Sequence, residues 1–112
     1  MNIYDTANKL ALELKQSEEY VNYKMAKEAI NLKADLKEKI KAFEKARYDA
    51  QIHAMQNGEN DEEKLKIVQD LYVELFEDPE ASKFFEAEMK LNVILSDVNK
   101  IIGDVIADLM GI

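Results

Sequence analysis

Cysteine is absent from this sequence. That excludes disulfides, thiol nucleophiles, zinc fingers and cysteine-ligated iron–sulfur clusters together. Histidine occurs once, at His53, so a di-iron bundle with its two Glu-x-x-His units and a zinc hydrolase of the His-Glu-x-x-His type are both excluded. Three glycines and one proline leave no glycine-rich phosphate loop and too few turn formers for a sheet protein. The serines and threonine, Thr6, Ser17, Ser82 and Ser96, have no histidine nearby in sequence to activate them, and a hydroxyl without a base is a poor nucleophile. Glu86 and Glu88 are two residues apart and fall on different faces of a helix. The sequence therefore predicts a non-enzymatic protein with no catalytic, metal-binding or cofactor-binding residues.

Long hydrophobic runs are also missing. The most apolar segment, residues 101–112, is interrupted by Asp104 and Asp108 and is too short to span a bilayer. Residues 1–16 lack the basic stretch and apolar block of a signal peptide. These features predict a soluble cytoplasmic protein with no membrane partner.

What remains is a chain of 112 residues, 47% apolar and 34% charged, with room for a single helical domain over residues 1–112 and one modest core. The net charge of −8 is uneven: residues 1–57 carry nine Lys and one Arg against nine acids, and residues 58–112 carry five Lys against fourteen. Such an acidic balance repels the phosphate backbone and argues against DNA as a partner. The basic stretch of Lys33, Lys37, Lys39, Lys41, Lys45 and Arg47 is interrupted by Glu38 and Glu44, the mixing expected of a solvated helix face. Lys37, Lys41, Lys45 and Arg47 are the candidate contacts for a partner, RNA included.

Apolar spacing of three and four residues marks the helices. Asn2 can cap a first helix whose stripe is Ile3, Ala7, Leu10, Ala11 and Leu14, and Ser17 can cap a second carrying Val21, Met25, Ala29 and Leu32. A break at Ala34–Asp35, with Asp35 as a cap, and one continuous helix over 18–56 fit the stripe Leu36, Ile40, Phe43 equally well. Asn57-Gly58 is a stop. Asn60 with Glu63 resembles a capping box for the next helix, whose stripe is Leu65, Val68, Tyr72 and Leu75. The acids Glu59, Asp61, Glu62 and Glu63 do not follow the order of a calcium loop.

Asp78-Pro79 opens the last helix. Steps of four and three then read Phe84, Glu88, Leu91, Leu95, Val98, Ile102, Val105, Leu109, with Ile94, Ile101 and Ile106 beside them. An apolar face this wide has to be covered on more than one side, as the centre of a bundle or the core of a dimer. The expected fold is an all-α bundle of four to five helices with a long apolar C-terminal helix. Its expected self-association surface is Leu91, Leu95, Val98, Ile102, Val105 and Leu109.

The order of these parts resembles the bacterial YlbF/YmcA/YheA-like family of small helical proteins. The likeness rests on a short first helix, Ser17-Glu18-Glu19-Tyr20, Phe43 in a helix running to Gln56-Asn57-Gly58, an acid-capped helix, Pro79, and a long helix through Leu95 and Asn99-Lys100-Ile101-Ile102. That last run is most similar to the YheA-like branch. The resemblance implies an all-α fold, self-association, with a dimer as the expected form, and no enzymatic activity. It also implies a regulatory or adaptor role in competence, sporulation, biofilm control or RNA processing. Better-known relatives assist a membrane-associated endoribonuclease, and some hold iron–sulfur clusters through cysteines that this chain lacks. A purely structural oligomer and a weak RNA binder using residues 33–47 are the alternatives.

Overall fold

A computed structural model describes residues 2–111; Met1 and Ile112, the latter included in the apolar segment noted above, lie outside the described residues. The described residues form five helices: α1 (Ile3–Gln16), α2 (Glu18–Asn31), α3 (Ala34–Asn57), α4 (Glu62–Phe76) and α5 (Pro79–Met110). The fold is all-α, as expected, and α5, at 32 residues, is about 48 Å long.

Short polar side chains set the helix starts. Asn2 Oδ1 accepts from the Tyr4 amide at 2.8 Å. Ser17 acts on both sides of a boundary: its hydroxyl donates to the Leu14 carbonyl at 2.6 Å and accepts from the Tyr20 amide at 3.2 Å. It thereby ends α1 and begins α2 with no intervening loop. Asp78 Oδ1 accepts from the amides of Glu80 and Ala81 at 2.9 and 3.4 Å, and Pro79, which has no amide hydrogen to satisfy, takes the first helical position.

One expectation is corrected and one question that the sequence left open is settled. The cap of α4 is Asp61, not Asn60: Asp61 has extended backbone and its Oδ1 accepts from the Lys64 amide at 3.1 Å. The carboxylate is a stronger acceptor than an amide oxygen at the positive end of a helix, and it leads Glu62 and Glu63 in the first turn. The stretch 18–56 is two helices. Lys33, in extended backbone, precedes α3 without a side-chain cap, and Asp35 sits in the first turn, where its charge suits the macrodipole. A lysine at a helix start is unfavourable by the same rule, and Lys33 Nζ instead pairs with Glu80 Oε1 at 2.8 Å. That hydrogen-bonded carboxylate holds the Lys33 ammonium above its ordinary pKa. The α3 stop is as read: Gly58 has φ 74° and its amide reaches the Ala54 carbonyl at 2.9 Å.

The helices divide into two compact units. One spans Ala26–Phe84 and contains the buried core, Ile30, Leu36, Ile40, Phe43, Ala50, Leu75, Ala81 and Phe84. Here α3 packs along α4. The Phe43 and Tyr72 rings stand 5.8 Å apart, Tyr72 and Phe76 5.5 Å apart, and the Arg47 guanidinium lies 5.3 Å from the centre of the Phe43 ring. At the α3–α4 turn, His53 Nε2 is 3.8 Å from Asp61 Oδ2, and Asn57 reaches the same imidazole at 3.2 Å. The other unit spans Met1–Met25 and Phe85–Ile112. Neither α1 nor the part of α5 beyond Phe84 contains a buried residue.

Two outcomes follow for stability. Leu75, 1% exposed, truncated as Leu75→Ala is expected to cost about 2–5 kcal/mol in urea unfolding, whereas Asp78→Ala, which removes a cap, costs about 1 kcal/mol. The Lys64 amide holds the Asp61 carboxyl below its ordinary pKa. Its contribution is therefore fully present above the ordinary carboxylate value and is lost as pH falls below it, through the lowered value of the folded state. Asp61→Asn keeps an oxygen acceptor but cannot titrate, so thermal melts of this variant should have a flatter acid limb than those of the parent.

Candidate interaction surface

The expected self-association row lies wholly within the unit that spans Met1–Met25 and Phe85–Ile112, and its exposure rises along α5. Leu91 and Val98 are half-buried, while Leu95 is 38%, Ile102 55%, Val105 68% and Leu109 84% exposed. Among the described residues α5 is thus not the centre of a bundle beyond Phe84. That removes the first of the two ways its wide apolar face could be covered within this chain.

The geometry explains the gradient. An open groove of about 350 Å³ is walled by Ala7, Leu10, Ala11 and Leu14 of α1 and by Ile94, Leu95 and Val98 of α5, with Glu13 and Ser17 at its margin. The alanines, four residues apart, keep one wall of the groove low. Past Val98 no comparable cover remains, and Ile101, Ile102, Val105, Ile106, Leu109 and Met110 are each half or more exposed. At 100° per residue these six occupy one arc of about 180°. Together they present on the order of 700 Å², more than the roughly 300–600 Å² of the largest apolar patch on a typical monomer. Met89 and Val93 are also exposed, but lie on the opposite side of the helix and are the isolated kind of surface residue that needs no partner.

Charge is confined to the border of this arc. Asp97, Asp104 and Asp108 fall on one side with Lys90, and Lys100 pairs loosely with Asp104 at 3.5 Å. Sequence reasoning identified the α5 row and noted Ile101 and Ile106 beside it. It did not assign Ala7, Leu10 and Ala11 to the same surface, although their 3–4 spacing marked them as one face of α1; spacing alone does not say which helices meet.

The basic candidates are not brought together as a set. Arg47 is stacked on Phe43, and Lys33 and Lys39 are engaged by Glu80 and Glu74. Lys37 is half-buried, while Lys41 and Lys45 are exposed. Among the described residues no three His, Asp or Glu side chains gather as a metal-holding group, and no helix is long and apolar enough to cross a membrane.

Comparison with known proteins agrees with this architecture. Residues 3–107 match the family model Com_YlbF, described as control of competence regulator ComK, YlbF/YmcA. A UPF0342 protein of Caldicellulosiruptor bescii is 34% identical over 103 residues, covering 92% of this chain and 87% of the relative. Another, from Symbiobacterium thermophilum, is 35% identical over 104 residues, covering 93% of each. A chain of the crystal structure of Bacillus subtilis RicA in complex with RicF superposes with a TM-score of 0.61 at 22% identity, over 96% of both chains; at that identity the likeness is one of fold. The chain belongs to the Com_YlbF family.

Since Ile102 and Leu109 make few contacts inside the chain, Ile102→Asp and Leu109→Asp should leave helix content, read by far-UV circular dichroism, close to that of the parent. A loss of helicity would place these side chains in an internal core instead.

Proposed function

We propose that this member of the Com_YlbF family is a cytoplasmic, non-enzymatic helical adaptor that self-associates through α5 and presents the assembly to a protein partner in bacterial gene regulation. The observation that carries the reading is the uncovered apolar arc over residues 101–110. Its area approaches the ~800 Å² that each partner contributes to a standard interface. In solution such a surface is stabilised by removing it from water, at about 25 cal/mol per Å² before the costs of association.

Kinship supports the same reading. The family description refers to control of a competence regulator, and the structural neighbour is a chain of the complex of RicA with RicF. A helical chain of this fold that works by contact with another chain fits both. Competence, sporulation, biofilm control and RNA processing are the regulatory settings the family suggests. RNA binding through residues 33–47 is the less favoured reading: Arg47 is committed to Phe43, two lysines are committed to carboxylates, and the chain carries a net −8.

Light scattering on the intact chain, followed by tagged capture over a salt series, tests the proposal. A dimer is expected, together with a protein partner retained at high salt. Ile102→Asp should convert the dimer to a folded monomer, because its carboxylate would be buried unpaired in the seam at a cost of several kcal/mol. A parent chain that is monomeric at all concentrations would refute self-association. Recovery of the bait alone would favour a purely structural oligomer. Capture that collapses with salt and is lost in Lys37→Glu, Lys41→Glu, Lys45→Glu would shift the reading to RNA.

A further inference from the structure

We infer that the partner copy docks antiparallel, each chain laying its exposed α5 turns, residues 101–110, into the α1/α5 groove of the other. This rests on the self-association reading above and fixes what it leaves open: the orientation of the two helices and the role of α1.

Three features on the same unit converge on it. The groove is centred on Leu95 and Val98, and the exposed run on Val105. A two-fold axis near Lys100 brings both grooves opposite both runs at once. The apolar row then interleaves without a slip: its steps of four and three set Val98 against Ile102 of the partner subunit and Leu95 against Val105 of the partner subunit, twice by symmetry. Glu88, the one charged member of the row, falls at the outer edge of the overlap, where it stays solvated.

The second feature is the shape of the groove. Ala7 and Ala11 leave it room for side chains from outside, and a parallel pair would set groove against groove and leave that space unfilled. Electrostatics is the third. A parallel pair sets two helix C-termini, each the negative end of a macrodipole, side by side. The antiparallel pair separates these ends. Asp108 and Lys90 are about five turns apart and so lie on one flank of the helix, which brings each Asp108 within a turn of Lys90 of the partner subunit; the same pairing brings each Asp97 near Asp104 of the partner subunit, so the flank charges offset one another and the macrodipoles set the preference.

Because the chain contains no cysteine, introduced thiols report the arrangement directly. Leu95→Cys chains mixed with Val105→Cys chains are expected to form a covalent heterodimer under mild oxidation. Neither variant alone, nor Leu109→Cys alone, should do so: in the antiparallel pair the two copies of residue 109 are ~27 Å apart, and a disulfide needs Cα atoms within about 7 Å. Circular dichroism and light scattering on each variant confirm that it is folded and dimeric. Cross-linking of Leu109→Cys by itself would establish a parallel pair and overturn the inference while leaving self-association intact. A dimer in which no combination cross-links would place the seam off α5 and overturn it too. A parent chain monomeric throughout would remove the self-association reading along with it.

Discussion

An amphipathic helix is stable in water only where its apolar side is covered, and in this chain the helix that most needs cover has too little of it. The helix that shares the apolar groove with α5, α1, is 14 residues long against 32. It offers a low wall of alanines and leucines that ends while the apolar row continues. The arc over residues 101–110 follows from that shortfall in length. No rotation of side chains removes it, because isoleucine, valine and leucine at those positions have no polar atoms to turn outward.

The Ala26–Phe84 unit answers the same requirement internally. There the stripes of α3, the end of α2, Leu75 of α4 and the first turns of α5 bury one another, and the residues that are almost fully enclosed, Leu75 and Ala81, come from different helices. Its polar contacts, Lys33–Glu80 and Lys39–Glu74, lie on the outside and contribute little beside the packing. One unit is thus held by its own core, and the other carries the surface on which association would act.

Most of the fold was legible in the sequence for identifiable reasons. Helices with a clean 3–4 stripe, and boundaries written in Ser17, Asn57-Gly58 and Asp78-Pro79, are local features, and local features survive folding. Lys33 shows where this fails: nothing in its chemistry signals a helix start, and the break there is made by extended backbone and held by Glu80, distant in sequence. The exchange of Asn60 for Asp61 as a cap is the ordinary one-residue ambiguity of a polar run. Of the candidate surface, the α5 row could be read because it is periodic. Its exposure could not, since an apolar stripe is written identically whether it is covered by the same chain or by another.

That the uncovered surface belongs to a helix and not to a sheet has a consequence of its own. Along α5 the backbone amides and carbonyls of the helix interior are spent within the helix, so the exposed side chains offer contact but no template for strand addition. Growth by edge pairing, the usual route from sticky surface to fibre, is closed to it. A two-fold contact, in which this surface met its own copy, would use it up on both chains and so end in a finite particle, not in open-ended polymerisation.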